Sequence, residues 1–346
     1  MFRKRSEPVI TDTAPCEKAI RLQVGHEAIA PVRAAVLEEF QRTATLPGFR
    51  KGKAPADLIA RQYAEPIQRE TLHRVTQQAI EETAKAHRLK PVGPFELKKA
   101  DLTEQDGLLL EAVVEVEPEF ALGAYKGIPL ARPSVEVTAA EVENALGTLQ
   151  ESMARLAPSA EGTKERQVPL LDDELAKDLG FDTLPKLSAH VEAKLREQKR
   201  AAAQQALEAA LCDELVKRHA FQVPPRLVSH QAERLTRDFK ARLLLAGTPE
   251  EKLEEKLGKF TEGLRTSAER HVKLAFIMDR IAAQEQVTLA QDELLSRLWQ
   301  LAQRWRKDPT EVRKILDAQQ LWPSVASAIR QEKTMALLLK SAVLSS

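Results

Sequence analysis

Gly48-Phe49-Arg50-Lys51-Gly52-Lys53-Ala54-Pro55 is the stretch on which the reading of this 346-residue chain turns. Three cations and one aromatic stand between two glycines and a closing proline. Glycine adopts positive φ without a steric penalty. Proline pushes its predecessor into extended backbone and pre-sets φ for a new helix. The run therefore predicts a loop tip that holds Phe49 beside Arg50, Lys51 and Lys53. That combination suits a phosphate-rich or acidic surface that also offers an apolar pocket. The common fate of such a run is a solvated basic turn with its aromatic folded onto the core, so the flanking sequence has to decide.

Upstream, residues 17–24 alternate, with Ala19, Ile20, Leu22 and Val24 against Lys18, Arg21 and Gln23, which predicts a half-buried strand. Residues 27–42 change to helical spacing through Ile29, Val32, Val36, Leu37 and Phe40. Downstream, the spacing predicts a short helix over 56–63 and a longer one over 66–88. Two strands follow over 95–102 and 108–117, joined through the turn signal Asp106-Gly107. Helices covering one face of an antiparallel sheet make a small α+β domain. The chain carries 52 basic and 51 acidic residues, a net charge of +1, so no global field marks a nucleic-acid binder. Between Arg42 and Arg74, however, seven cations face three acids, and this local excess predicts salt-sensitive attraction to phosphate.

Prolines 118, 129 and 133 and glycines 123 and 127 mark an extended connector. Thr138 and Glu141 form a capping box that opens a helix running to about Leu156. Residues 158–169 are polar and short. From Leu170 onward the chain reads as almost wholly helical. Apolar stripes include Val228, Leu235, Phe239 and Leu243, then Phe260 and Leu264, then Leu294, Leu298, Leu301 and Trp305. Long helices with short connections suggest an elongated helical body with projecting arms. The pair Trp299 and Trp305 is expected to join a helix-packing seam.

Chemistry is hard to find. Aromatics are 4% of the chain and charged residues 30%, a helix-rich and highly solvated profile. Cys16 and Cys212 are too few and too far apart for a disulfide framework or zinc site. The seven histidines show no metal-ligand spacing, and no Gly-rich phosphate cradle is present. No catalytic residue, metal or cofactor is expected. No apolar run reaches the roughly 18 residues of a membrane span. The start Met1-Phe2-Arg3-Lys4-Arg5-Ser6-Glu7-Pro8 lacks the apolar stretch of a secretory signal. A cytoplasmic protein is the expectation, without DNA or membrane as partner.

The loop closely resembles the ribosome-docking signature of the trigger factor family, Gly-Phe-Arg-x-Gly-Lys-x-Pro, and matches each of its fixed positions. Ala14-Pro15-Cys16 resembles the family's start, and Leu89-Lys90-Pro91-Val92-Gly93 its stretch after the second long helix. The resemblance implies a ribosome-binding domain over 1–117, with Gly48, Phe49, Arg50, Lys51, Gly52, Lys53 and Pro55 touching ribosomal protein and RNA near the exit tunnel. It further implies a connector and first helix over 118–157 and a helical substrate-binding domain over 170–346. Nascent and unfolded polypeptides would be the clients, met without ATP. Leu235, Phe239, Leu243, Phe260, Leu298 and Trp305 are the candidate client contacts. The sequence departs from the family at 158–169, where most members insert a prolyl-isomerase domain. Twelve polar residues cannot build one, so isomerase activity is not expected. A factor that only caps the exit site and a helical adaptor for one folded partner stay open as alternatives, as does dimerisation off the ribosome.

Overall fold

A computed structural model describes residues 8–103, 107–158 and 164–345. The start at Met1–Glu7, the Asp106 half of the turn signal and the middle of the 158–169 linker lie outside the described residues. In chain order the elements are β1 (Val9–Ala14), β2 (Glu17–Val24), α1 (His26–Thr43), α2 (Ala56–Gln62), α3 (Ala64–Ala86), β3 (Glu96–Thr103) and β4 (Gly107–Glu115). Then come β5 (Pro129–Ala131), α4 (Ala139–Ser152), β6 (Arg155–Pro158), β7 (Lys164–Gln167), α5 (Asp173–Asp178) and α6 (Leu184–Arg218). The remainder is α7 (Pro225–Leu245), α8 (Leu253–Gln284), α9 (Gln291–Trp305), α10 (Pro309–Ala318), α11 (Trp322–Ser341) and β8 (Val343–Ser345). Two compact units result. One joins the chain up to Ala121 with Ala220–Ile277; the other joins Leu122–His219 with Met278 onward.

The first unit is built on an antiparallel sheet of order β1-β2-β4-β3. The alternation read in the sequence sets its register: Ile20 pairs with Ala112, Leu22 with Leu110 and Val24 with Leu108. All six point to one face and pack with Ala28 and Ile29 of α1 and Val75, Ala79 and Ile80 of α3. β1 is an edge strand with five of its six residues exposed. Its Val-Ile-Thr-Asp-Thr-Ala sequence carries no alternating signal, so sequence reading passes over it.

The opposite face of β4 carries a buried acid. Glu115 is 3% exposed, although it sits where the alternation would turn it to solvent. Its Oε1 accepts from the Arg226 N–H at 2.6 Å and its Oε2 from the Leu227 N–H at 3.2 Å. These are first-turn amides of α7, which begins Pro224-Pro225 and has no side-chain cap of its own. The carboxylate supplies the missing acceptor and favours the positive end of the helix dipole. Around it, Arg226 pairs with Glu96, Phe120 stacks on Phe221 at 4.0 Å, and Cys16 Sγ donates to Gln222 O at 3.3 Å. Burial, with Glu115 beside it, pushes the Cys16 thiol up. This cluster joins α7 and the first part of α8 to the sheet-bearing segment, a grouping across the boundary that chain order suggests.

The second unit is mainly helical. Leu146 of α4, Ala176 of α5 and Leu187 of α6 form one core; Leu298 and Ala302 of α9 with Val312 and Leu316 of α10 form another. The expected capping box is present, with the Thr138 N–H donating to Glu141 Oε2 at 2.8 Å. α4 stops at Ser152 rather than near Leu156. Arg155–Pro158 instead pairs antiparallel with Lys164–Gln167, and Pro158 would have ended a helix there in any case. His219 is buried and satisfied at both nitrogens: Nδ1 donates to Leu215 O at 2.7 Å and Nε2 accepts from the Gly123 N–H at 2.9 Å.

Replacing Glu115 by Ala leaves two part-buried amides without that acceptor. We expect a loss of about 1–3 kcal/mol in denaturant unfolding and faster hydrogen exchange at Arg226 and Leu227; unchanged exchange there contradicts the capping role. A second expectation concerns pH. Lys199 and the Thr138 N–H hold the Glu141 carboxyl down at about 2, below its ordinary 4.5. A depressed carboxylate stabilises the fold above its unfolded value, and that contribution fades as pH falls from 4.5 toward about 2. Carboxyl NMR should give a midpoint near 2 that rises toward 4.5 in Lys199→Ala.

Candidate functional site: the Gly48–Pro55 loop and the exposed apolar faces

The connection between α1 and α2 is made of two turns in tandem. In the first, Pro47 occupies the second position and Gly48 the third with φ +85°, while the Phe49 N–H donates to Leu46 O at 3.1 Å. In the second, Gly52 has φ +79° and the Lys53 N–H donates to Arg50 O at 2.9 Å. Positive φ in the third position is the requirement of a type II turn. At Gly48 a Cβ would find no atom within 4 Å, and at Gly52 the nearest is Arg42 O at 3.7 Å. Backbone conformation, not crowding, therefore selects glycine. The base of the loop is fixed below: Ala54 is buried with Val36, Ile59 and Ile67, Gln41 Nε2 donates to Ala54 O at 2.8 Å, and the Tyr63 hydroxyl donates to Thr45 O at 3.1 Å.

This geometry leaves Phe49 40% exposed, with Arg50, Lys51 and Lys53 exposed around it. Among the seven cations of 42–74, two are engaged. Arg42 meets Glu38 at 3.3 Å, and Arg74 holds Glu39 and Glu70, each at 2.6 Å. The hydrogen bond from Arg74 keeps the Glu39 carboxyl below its ordinary value, and Arg74 itself is pushed up by the same pair. Among the described residues, Arg50, Lys51, Lys53, Arg61 and Arg69 have no carboxylate within 4 Å. Three of these cations, Arg50, Lys51 and Lys53, lie in the loop itself beside an exposed aromatic, with Arg61 on α2 and Arg69 on α3. Chemically this is a phosphate-attracting tip with one apolar anchor.

The candidate client contacts separate into three groups. Leu235, Phe239 and Leu243 lie along α7, and Phe260 on α8. Leu235, midway along α7, packs with the cluster of buried Val228, Ala268 and Val272, and Phe239 meets Phe260 edge-on at 5.1 Å one turn further along. Beyond them, Leu244 and Leu245 are exposed at the end of α7, where Gly247 with φ +78° closes a Schellman cap: Thr248 N–H to Leu243 O at 3.0 Å and Gly247 N–H to Leu244 O at 2.9 Å. The second group is Leu298, which is buried between α9 and α10 and offers no surface. The third is Trp305, exposed together with Trp299 and Leu295 on α9. The two tryptophans do not form the expected seam, because Leu298 and Ala302 fill that role and Trp299 lies one residue around the helix from it. Sequence reading missed Leu244 and Leu245. Their signal was available, since three consecutive leucines cannot all lie on one stripe of a helix.

No described helix is long and apolar enough to cross a membrane, and no group of three or more His, Cys, Asp or Glu side chains among the described residues is placed to hold a metal ion. An open groove of about 720 Å³ runs between α1 and α3, lined by His26, Ile29, Arg33, Gln68, Thr71 and neighbours. It gathers no set of groups suited to acid–base or nucleophilic chemistry.

Comparison with known proteins supplies the family context. A model described as "Bacterial trigger factor protein (TF)" matches residues 8–149, and one described as "Bacterial trigger factor protein (TF) C-terminus" matches residues 183–340. Among curated relatives, "Trigger factor" of Koribacter versatilis is 24% identical over 98% of this chain and 99% of its own length. That of Moorella thermoacetica is 26% identical over 84% and 86%. The Koribacter alignment runs over 434 positions against 346 residues here, so that relative carries residues this chain lacks. In fold, the chain is similar to a solved structure described as "Promiscuous Substrate Recognition in Folding and Assembly Activities of the Trigger Factor Chaperone", with TM-score 0.51, 20% identity and coverage of 97% and 99%.

The tandem turns generate a direct expectation. Gly48→Ala adds a methyl group with room around it but forces a non-glycine residue to φ +85°, so it should cost about 1 kcal/mol in unfolding free energy. Lys51→Ala, which removes no partner, should stay within roughly 0.5 kcal/mol. Equal effects contradict the left-handed turn.

Proposed function

Because the chain belongs to the trigger factor family, we propose that it acts as an ATP-independent chaperone that docks at the ribosomal exit site and shields nascent or unfolded polypeptides. The observation that carries this reading is the Gly48–Pro55 loop, which matches the family's docking pattern and holds Phe49 exposed among cations that have no carboxylate partner. Arg50, Lys51 and Lys53 meet ribosomal RNA or acidic protein surface, and Phe49 fills an apolar recess beside it. Docking raises the local concentration of the apolar faces around the emerging chain, so contacts that are individually weak become effective. Phe239, Leu243, Phe260, Leu244 and Leu245 on α7–α8, with Trp299 and Trp305 on α9, are the client-facing side chains in this proposal. Exposed apolar surface of this kind favours a client-handling protein over a bare capping factor. The cytoplasm is the compartment that fits a ribosome-docked protein.

The reading includes the absence of prolyl-isomerase activity. The two trigger factor models match on either side of residues 150–182, and this stretch holds the end of α4, the β6–β7 hairpin and α5. Residues 156–170 contain no aromatic side chain. Lowering an X-Pro barrier of about 18–20 kcal/mol takes an enclosed pocket that twelve polar residues do not build.

Ribosome co-sedimentation tests the proposal. Phe49→Ala/Arg50→Ala/Lys51→Ala should lose binding while its unfolding free energy changes by about 0.5 kcal/mol or less, and wild-type binding should weaken as salt rises. Retained binding in the triple variant refutes the loop's role. A large loss of stability instead places Phe49 in the core. In parallel, a proline tetrapeptide should isomerise no faster with the protein than in buffer.

A further inference from the structure

β8 is held mainly by its backbone. It runs parallel to β5, with Val343 opposite Pro129, Leu344 opposite Leu130 and Ser345 opposite Ala131. The Val343 N–H donates to Ile128 O at 3.0 Å, the Gly127 N–H to Ser341 O at 3.2 Å and the Arg132 N–H to Ser345 O at 2.9 Å. The Ser345 hydroxyl adds a contact to Leu130 O at 3.3 Å. Its side chains contribute little: Val343 is 58% exposed and Leu344 41%. β5 is the opposite case. Leu130 at its centre and Ile128 just before it are buried, at 3% and 1% exposure, with Pro129 and Ala131 exposed between and beyond them, and α6 packs against the strand. One partner is thus anchored through buried Leu130 and Ile128, while the other is held mainly by main-chain groups, with Leu344 its more covered side chain. Main-chain pairing reads extended backbone rather than sequence. A two-stranded ladder is also marginal by itself.

We propose that the edge of β5 is a strand-accepting site whose built-in occupant, β8, stands in for an extended stretch of unfolded polypeptide. Such a stretch docks parallel to Pro129–Ala131 by exchanging with Val343–Ser345. The inference rests on the chaperone reading and adds a second mode of client contact to it, through backbone rather than apolar side chains. The register defines what fits. A residue with an N–H is needed at the Val343 position, because Ile128 O is met there. Apolar side chains suit the Leu344 position, beside buried Leu130. Proline at the Val343 position is excluded. Because any client must displace β8, the segment acts as an internal competitor that lowers apparent affinity at this edge.

The test uses the full chain, Val343→Pro, and a chain truncated after Ser341, with a fluorescently labelled peptide Ser-Ala-Val-Leu-Ser copied from residues 341–345. Fluorescence anisotropy should show saturable binding to both altered chains, at least roughly tenfold tighter than to the intact chain, since the competitor is gone. The same peptide with N-methylvaline at the third position should not bind, and a reduced, unfolded protein should displace the labelled peptide. Equal binding to intact and altered chains, tight binding of the N-methyl peptide, or no displacement by unfolded protein overturns the proposal. Aggregation suppression by the intact chain is measured alongside. If suppression is absent the chaperone reading fails, whereas the peptide result decides the strand site independently of it.

Discussion

Two residues with left-handed backbone, Gly48 and Gly52, set the direction of the segment that the functional reading depends on. Each sits third in a four-residue turn, and each turn is closed by a main-chain hydrogen bond. Between them the chain can neither continue α1 nor pair as a strand, so Phe49, Arg50 and Lys51 are carried away from the helices on either side. Pro47 and Pro55 narrow the remaining freedom, the first by fixing φ before Gly48 and the second by starting α2. Ala54, Val36, Ile59 and Ile67 then clamp the base. A tip built in this way is presented before a partner arrives, which lowers the ordering cost of binding.

Electrostatics follow the same division between anchored and presented groups. The chain is close to neutral, yet its charges are not evenly satisfied around the loop. Arg74 is held by Glu70 on its own helix and by Glu39 of α1, so it ties α3 to α1, while Arg42 pairs with Glu38 one turn back on α1. Arg50, Lys51 and Lys53 have no such partner among the described residues. An anionic surface brought to them would not have to break an internal pair first. Attraction of this kind is local and screened by salt.

How far the sequence could be read depended on the range of the interactions involved. β2 and β4 were legible because period-2 alternation is local, and so was the capping box at Thr138 and Glu141. The loop was legible for the same reason: glycine, proline and charge at fixed spacing encode it within eight residues. What escaped were features fixed by distant partners. β8 is a strand only because Pro129–Ala131 lies beside it. Glu115 reads as a solvent-facing strand residue, and only the arrival of Arg226 and Leu227 turns it into a buried cap. That contact also draws α7 to the sheet, which no composition shift announces. On α9, apolar spacing could not say which of Leu298 and Trp299 faces inward; the packing of α10 makes Leu298 the core residue.

The claim on which these elements converge is that Phe49 touches the ribosome. Replacing Phe49 with p-benzoylphenylalanine in the full chain and irradiating it with purified ribosomes reads that contact directly. The account predicts an adduct with ribosomal protein or RNA at the exit site, lost when Arg50 and Lys51 are changed to alanine. Adducts only within the chain, to Phe40 or Tyr63 of the cluster beneath the loop, would contradict it.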